Sequence, residues 1–315
     1  MAQNAPATFT AKVYKAVGFT KGYNFWLWFF LSLGFGGFAS ARLRYLDLHG
    51  VFCGSASGGR DRATPGECFY YLQPGGRYQL GILVHLACIL PASLLALAQF
   101  VPALRRRAMR LHRISGYVAV ALSAAGSVSA LVIARRSMGG GIDTQSMVGV
   151  LAIIFSYSLY KGVVCARRHQ IEQHRVWMLR AWVNASAIVT MRIIIAISAI
   201  ILSSVGGYYN VQPCDKINFI LKGENATMAR FPECAPFFSG ADPNHHIAVR
   251  ASLIGRDKVE VASMINLVFG TAGWMGIAIH AVGIELYLHL TSTERRAARS
   301  AKIQQNGVNN ALKAD

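Results

Sequence analysis

The chain has 315 residues, of which 53% are hydrophobic and 15% are charged. Its 32 Lys and Arg against 14 Asp and Glu give a net charge of +18, whereas a soluble globular chain carries about 25% charged residues. The mean hydropathy of +0.36 excludes a disordered chain and argues against nucleic acid as the partner of the positive charge. This composition is typical of a membrane protein.

Six apolar stretches are long enough to cross a bilayer, for which a helix needs about 20 mostly apolar residues. They cover residues 24–43, 79–104, 114–134, 145–166, 176–205 and 264–290. Pro91 lies inside the second stretch, and bilayer helices tolerate such a residue. Because none of the stretches alternates polar and apolar residues as a strand does, the sequence predicts an all-α polytopic protein with six transmembrane helices.

The basic residues are distributed unequally between the segments that flank these spans. Segments 1–23, 105–113, 167–175 and 291–315 hold 16 basic and 3 acidic residues, while the other side, which includes loops 44–78 and 206–263, holds 12 basic and 10 acidic residues. Lys and Arg accumulate in cytosolic segments. The sequence therefore predicts that the N-terminal segment 1–23 and the basic tail 291–315 are cytosolic, and that the two long loops are luminal.

Four cysteines and one sequon agree with this orientation. Cys53 and Cys68 lie in the first long loop, and Cys214 and Cys234 lie in the last. On an oxidising side they favour two local disulfides, Cys53–Cys68 and Cys214–Cys234, among the three pairings that four cysteines allow. Asn225 begins an Asn-Ala-Thr sequon in the last loop and is a predicted glycosylation site. Together these features predict a secretory-pathway membrane, with the endoplasmic reticulum as the default.

Ionisable residues inside the spans are costly and are candidates for function. Arg192 falls near the middle of the fifth span, where a lone Arg costs roughly 3 kcal/mol or more. His85 lies in the second span and His280 in the sixth, without a carboxylate at mid-membrane depth. Such an interior suits an anionic or electron-rich ligand, for example a quinone, a haem propionate or a polyketide oxygen. The structural alternative is that these groups are hydrogen-bonded between helices.

Arg180 and Glu285 lie nearer to the cytosolic ends of their spans. Long side chains in that position extend towards the headgroups. We therefore expect each of them to reach the membrane surface separately.

Two helix starts carry a His-Arg doublet, His112-Arg113 before the third span and His174-Arg175 before the fifth. Two imidazoles at one depth on two helices are what a haem iron with two histidine ligands requires. The two arginines would then bind the haem propionates. The same pattern arises where two helices begin at an interface and contact lipid phosphates, and both interpretations stay open.

The region from His85 to Arg192 resembles a family of predicted multi-pass membrane proteins of unknown function, found in bacteria and fungi. The shared features are a His in one span, an HR-x-x-G helix start (His112, Arg113, Gly116) and an HR-x-W-M-x-R helix start (His174, Arg175, Trp177, Met178, Arg180). The resemblance implies architecture and no particular activity. The six-helix plan is also similar to cytochromes of the b561 kind, but no transmembrane His matches the depth of His85, so the resemblance implies one haem at most.

Three functions follow as hypotheses. The first is a redox protein with one b-type haem on His112 and His174, and with His85, Arg192 and His280 around a cavity for an apolar substrate or a quinone. The second is a cofactor-free isomerase, cyclase or dehydratase of a specialised biosynthetic pathway, in which the two intramembrane histidines transfer protons and the arginine binds an oxyanion. The third is a transporter or scaffold, disfavoured because inverted repeats and interrupted spans are not evident.

Overall fold

Long helices dominate the chain, whose computed structural model describes residues 9–54, 62–73 and 75–311. The helices of the bundle are α2 (Gly22–Arg42), α4 (Arg77–Gln99), α6 (Met109–Ala134), α7 (Ile142–Arg167), α8 (Ile171–Ala185), α9 (Ala187–Val205) and α13 (Lys258–Ala311). Short helices α1 (Phe9–Val17), α3 (Cys68–Tyr71) and α5 (Pro102–Arg107) flank them. The prediction of a mostly helical fold is confirmed.

Five segments within the described residues are long and apolar enough to cross a membrane. They are Arg77–Gln99, Met109–Ala134, Ile142–Arg167, Ile171–Val205 and Lys258–Ser292. This confirms a multi-pass membrane protein. Helix α2 has 21 residues but is not one of the five, because glycines and tryptophans lower its mean hydropathy.

The second span ends earlier than the sequence predicts. Helix α4 stops at Gln99, and Pro102 begins the separate helix α5. Val101 has an extended backbone with φ −77° and ψ 112°, because the residue before a proline is disfavoured in the helical region. The predicted end at Leu104 was therefore wrong. Pro91, in contrast, lies within a continuous α4.

The fifth span, predicted as one helix, is broken at Ser186 into α8 and α9. The Ser186 N–H donates to the carbonyls of Trp182 and Val183, each at 3.1 Å. Its hydroxyl also donates to the Trp182 carbonyl at 2.8 Å. A serine that bonds back to the preceding turn bends a helix. The fifth span is therefore a single apolar segment, Ile171–Val205, that bends at Ser186.

The last long loop, residues 206–263, is a folded unit rather than a loop. It contains β1 (Tyr209–Pro213), α10 (Cys214–Leu221), α11 (Glu224–Arg230), α12 (Ala235–Phe238) and β2 (His246–Arg250). The strands pair antiparallel, with Tyr209 opposite Arg250 and Pro213 opposite His246. Ile247 and Val249 alternate inward, as a strand with one buried face does. This two-stranded sheet is a departure from the predicted all-α fold.

Both predicted disulfides, Cys53–Cys68 and Cys214–Cys234, are present, each with a Cα–Cα distance of 5.7 Å. They lie in residues 43–54, 62–73 and 206–257, which together form a cap over one end of the bundle. The rings of Phe69 and Phe219 join the two disulfide segments, 5.6 Å apart. We refer to this end as the disulfide end. The end at which α6 and α8 begin is the opposite end.

Helix α13 begins beside the cap and runs for 54 residues to Ala311, so the predicted tail 291–315 starts as its continuation. Glycines on one face of α13 let neighbouring helices approach closely. A Cβ at Gly276 would lie 3.0 Å from the Ala187 carbonyl, and one at Gly273 would lie 2.6 Å from Met147. Small residues at such contacts are typical of membrane helix packing. This packing places α13 against α7, α8 and α9.

Candidate functional site

His85, the predicted proton-transfer group of the second span, contacts α6. Its Nδ1 lies 2.9 Å from the Gly126 carbonyl and donates a hydrogen bond to it. A Cβ at Gly126 would lie 3.4 Å from the Cβ of Ile89, so the glycine allows α4 and α6 to approach. The observed contact is a hydrogen bond between helices, and a catalytic role for His85 stays a prediction.

His280 of α13 lies at the break between α8 and α9. Its Nδ1 donates to the Val183 carbonyl at 2.6 Å, and its Nε2 accepts from the Thr190 hydroxyl at 2.7 Å. Val183 belongs to the last turn of α8, where helix carbonyls lack their full set of partners. His280 therefore connects α13 to both halves of the bent span.

Replacing His280 with Leu is expected to lower the free energy of unfolding by about 2 kcal/mol, because in a partly buried site the Thr190 hydroxyl would lose its acceptor and the Val183 carbonyl one of its two donors. His280→Gln keeps an amide donor and should lose less. The measurement is unfolding by SDS titration of detergent-purified protein. A His280→Leu variant as stable as the wild type would contradict this role.

Arg192 of α9 extends towards the disulfide end. Its guanidinium lies 5.3 Å from the ring centre of Phe269, and its Nε is buried without a hydrogen-bond partner among the described residues. Phe269 precedes His280 on α13 by roughly 16 Å along the helix axis, at 1.5 Å per residue. Arg192 and His280 therefore act at different depths, and the structure does not bring them together with His85.

Arg192 forms no ion pair among the described residues. The two charges that act on it most strongly are that of Arg42, which is unfavourable, and that of Glu67 in the cap, which is favourable. Sequence reasoning missed Glu67 because it counted only residues inside the spans. The available signal was that Glu67 adjoins Cys68, whose disulfide holds this segment against the bundle.

Glu67 and Lys216 are almost completely buried, at 2% and 1% exposure. Glu67 accepts hydrogen bonds from the Met138 N–H at 2.9 Å and from the Tyr71 hydroxyl at 3.4 Å. Gly66, with φ 82°, lets the aliphatic part of Lys216 pack against the segment before Glu67. The two charges connect the disulfide segments of the cap.

Burial sets the protonation of this pair. It raises the pKa of the Glu67 carboxyl, against the opposing effects of Lys216, the Met138 N–H, the Tyr71 hydroxyl and Arg192. It lowers the pKa of Lys216, against the opposing charges of Glu67 and Asp215. Each charge is therefore disfavoured by burial and stabilised by the other.

The two His-Arg doublets meet at the opposite end, close enough for the charge of His174 to act on His112. His174 Nδ1 donates to the Gly162 carbonyl at 2.9 Å, which leaves its Nε2 as the remaining ring nitrogen. The Nδ1 of His112 and one terminal nitrogen of Arg175 are buried without partners among the described residues. Arg113, the other predicted propionate ligand, is exposed.

The hypothesis for these doublets is a haem with two histidine ligands. Within the described residues, no group of three or more His, Cys, Asp or Glu side chains could hold a metal. Two histidines are sufficient only where a porphyrin supplies the other ligands. The unpartnered ring nitrogen of His112 is consistent with such a group, although neither of the two cavities described below is lined by His112 or His174.

The HR-x-W-M-x-R segment at the start of α8 also forms the contact between α7 and α8. Trp177 packs edge-on against Tyr157, with ring centres 5.6 Å apart. Met178 packs against Gly162, where a Cβ would clash with it. These contacts orient Arg180, the last residue of the motif, towards α13.

A cavity of about 280 Å³, open at the surface of the bundle, lies between α7, α8 and α13. It contains an ion pair in which 26% of the Arg180 side chain and 56% of the Glu285 side chain are exposed. Arg180 donates from Nε to one oxygen of Glu285 at 2.6 Å and from one terminal nitrogen to the other oxygen at 2.8 Å. From the sequence, Arg180 and Glu285 were considered one at a time, and this pair was not predicted. Opposite charges at similar distances from the same end of two spans were the signal for this pair.

Asn184 lines the same cavity and is buried. Its amide nitrogen donates to the Arg180 carbonyl at 2.8 Å, but its oxygen Oδ1 is buried without a donor among the described residues. Buried acceptors are normally satisfied, so this oxygen is available to a ligand. The remaining walls are largely apolar, formed by Ile154, Tyr157, Ser158, Trp177, Ala281 and Ile284. A largely apolar cavity with a few polar groups is typical of a small-molecule site.

Comparison with known proteins agrees with this architecture. Residues 82–212 match a family described as "Predicted membrane protein (DUF2306)", which is the region where the sequence resembled such a family. The match covers less than half of the chain. It supports a multi-pass membrane protein and names no activity.

The chain is also similar to "Ava biosynthesis cluster protein G" of Aspergillus versicolor. The two are 23% identical over an alignment that covers 87% of this chain and 90% of the relative. No solved structure matches the chain, so the similarity to cytochrome b561 stays a prediction.

Proposed function

We propose that the protein is a membrane-embedded enzyme of small-molecule biosynthesis that transfers protons on an apolar substrate in the cavity between α7, α8 and α13. The observation that carries this proposal is the unpartnered Asn184 oxygen beside the Arg180–Glu285 pair. A cavity with an acceptor, a cation and a carboxylate can bind and ionise a substrate that is otherwise apolar. The name of the Aspergillus relative, a biosynthesis cluster protein, supports the same class.

The three polar groups have separate roles in this reaction. Asn184 accepts a hydrogen bond from a substrate hydroxyl. Arg180 has a terminal nitrogen that Glu285 does not use, and it stabilises a carbonyl oxygen as negative charge develops on it. Glu285 takes a proton from the carbon next to that carbonyl and returns it to another atom. The net change is an isomerisation, a cyclisation or the loss of water.

The residues predicted as catalytic take other positions in this proposal. His280 holds the break at Ser186 next to the cavity and acts as a positioning residue. Arg192 and His85 lie outside the lining of the cavity. An apolar substrate enters from the bilayer, since Tyr157 and Ile153 on α7 are exposed on the outer surface of the bundle.

Replacing Asn184 with Leu tests the cavity. We expect the variant to fold and to lose product formation in a deletion strain complemented with it. Asn24→Leu is the matched control, because Asn24 also lies in the bundle but accepts its hydrogen bond from Tyr287 at 3.1 Å, away from the cavity. Full product formation by Asn184→Leu would contradict the proposed site.

We further propose that α2 is the sixth span. Its first turn contacts the far part of α13 through the Tyr287–Asn24 hydrogen bond, and its Ala39 packs in a cluster with Cys53 and Ile82 at the disulfide end. It thus extends over the same depth as its neighbours. Its outward-facing Phe30 and Leu33 are exposed, as lipid contact requires.

Six spans place both termini on one side, in the cytosol, and the cap in the lumen of the endoplasmic reticulum. Asn225 on α11 is exposed and can carry a glycan, whereas the second sequon residue, Asn184, is buried in the bundle. We expect a glycosidase-sensitive form that Asn225→Gln abolishes, and terminal tags that protease removes from intact microsomes. Protection of one tag, or a glycan that persists in Asn225→Gln, would contradict this topology.

A haem-binding redox protein is the second candidate, favoured by the unpartnered nitrogens of His112 and Arg175. His112 and His174 would hold the iron, and Arg113 and Arg175 the propionates, while the haem would supply electron transfer. The test is the absorption spectrum and iron content of protein purified with haem supplementation. A Soret band that His174→Ala removes would support this candidate, and iron-free protein without such a band would exclude it.

A further inference from the structure

A second cavity, of about 370 Å³, lies at the disulfide end. Three segments that are distant in sequence form it: the stretch from α3 to the start of α4, the connection between α6 and α7, and the part of the cap around β1 and β2. The residues that determine its chemistry are Tyr70, Tyr78, Arg136, Asp215, His245 and His246. The proton-transfer proposal leaves all six unused.

One wall of this cavity is aromatic. Phe69 and Tyr70 on α3 pack edge-on, with ring centres 4.9 Å apart, and Tyr78 packs against Tyr70 at 6.5 Å. Aromatic faces and edges in this arrangement bind a further flat ring well. The wall therefore favours a ligand with an aromatic ring.

The charge in the cavity is positive. Arg135 and Arg136 line it, while Asp215 is the one carboxylate among its described lining residues. Asp215 Oδ1 already accepts from the Lys216 N–H at 2.5 Å. Arg136 lies 4.8 Å from the ring centre of Tyr70 and hydrogen-bonds to the hydroxyls of Tyr70 and Tyr78, while its Nε is buried without a partner among the described residues. A guanidinium with an unused donor in a confined site favours a carboxylate.

The two histidines add hydrogen-bonding groups on the other side. His245 Nδ1 donates to an Asp242 carboxylate oxygen at 3.1 Å, and His246 Nδ1 donates to the Asn244 carbonyl. The Nε2 atom of each ring remains for a ligand. In the neutral tautomer that these bonds select, Nε2 accepts a hydrogen bond, which matches a hydroxyl group on the ligand.

We propose that this cavity binds a small aromatic carboxylic acid that carries a ring hydroxyl. Arg136 pairs with the carboxylate, Tyr70 and Tyr78 contact the ring, and the histidines accept from the hydroxyl. The site lies at the disulfide end, across the bundle from the Arg180 cavity, and it stands whether or not the proton-transfer proposal holds.

The test uses the full-length protein in phosphatidylcholine nanodiscs and isothermal titration calorimetry. The probe is 4-hydroxybenzoate, and its methyl ester is the matched probe without charge. We expect saturable binding of the acid, at least tenfold weaker binding of the ester, and at least tenfold weaker binding of the acid by Arg136→Gln. Arg250→Gln is the control variant, because Arg250 is an exposed cap arginine on β2 outside the cavity and should bind as the wild type does.

Equal binding of acid and ester, or wild-type binding by Arg136→Gln, would overturn the site. If Arg136→Gln does not fold, the measurement is repeated with Arg135→Gln and His245→Gln. Unchanged binding of the acid by both variants would also overturn the proposed site. A lipid phosphate is the other source of an anion here. Loss of acid binding in phosphatidylserine nanodiscs would indicate that lipid headgroups occupy the cavity. That result would overturn the proposal that it binds a soluble acid.

Discussion

Arg180→Gln and Glu285→Gln are each expected to lower the rate of product formation by about 100-fold or more. The magnitude is that of removing one donor that stabilises a developing oxyanion. Glu285→Gln removes the proton acceptor and leaves the guanidinium without its two hydrogen bonds of 2.6 and 2.8 Å. Arg180→Gln removes the oxyanion contact and leaves a carboxylate unpaired in the membrane. The measurement is conversion of the accumulated precursor by variants in nanodiscs.

The reversed pair, Arg180→Glu with Glu285→Arg, separates chemistry from folding. It keeps an ion pair between α8 and α13, so expression and thermal stability should return towards the wild type. Activity should stay low, because cation and carboxylate have exchanged places around the substrate. Arg167→Gln, at the end of α7 away from the cavity, is the control and should convert at the wild-type rate. Full activity of the reversed pair would show that the ion pair is only structural.

Lys216→Met is expected to lower the free energy of unfolding by about 1 kcal/mol, since the Lys216 charge acts favourably on the buried Glu67 but forms no ion pair with it among the described residues. Glu67→Gln should cost less, because Asp215 still acts on Lys216. The double variant should recover most of the loss, because neither buried charge then remains alone. The free energies of unfolding of the wild type, the two single variants and the double variant are measured by SDS titration. Losses that simply add in the double variant would contradict coupling between Glu67 and Lys216.

The pH dependence of the cap follows from the raised pKa of Glu67. The folded protein binds this proton more tightly than the unfolded chain, so the contribution of Glu67 to stability is largest below its ordinary value of 4.5. It falls as the pH rises through the folded-state pKa. Glu67→Gln lacks this titration and should therefore gain stability relative to the wild type as the pH increases from 4.5. A stability difference independent of pH would contradict burial as the cause of the shift.

The helices and disulfides were predictable because each depends on local sequence. Apolar runs of spanning length are readable without knowing which helices touch, and Cys53 and Cys68 are near neighbours in the chain. The break at Ser186 was not predictable, because no proline or glycine marks it and His280, which stabilises it, comes from another helix. The small sheet was missed because each strand has five residues and their pairing spans the whole of α10 to α12.

The candidate site was predictable only in part. The sequence placed costly polar groups in the spans, but their partners depend on which helices and loops pack together. Glu67 reaches the bundle only because the cap folds over it, and Arg180 meets Glu285 only because α8 packs against α13. Asn184 was not predicted as a site residue, since its unpartnered oxygen is visible only once the Arg180 carbonyl is known to occupy its amide nitrogen.

The mass and isotope content of the product test proton transfer in the Arg180–Glu285 cavity most directly. The compound that accumulates in a deletion strain is incubated in deuterium oxide with wild-type protein in nanodiscs, and with Glu285→Gln in parallel. Apart from deuterium, we predict a product that equals the precursor in mass or has lost one water. Wild-type protein should introduce deuterium at carbon, and the variant should not. A product whose composition differs from the precursor by anything other than one water, or deuterium introduced equally by Glu285→Gln, would contradict this account.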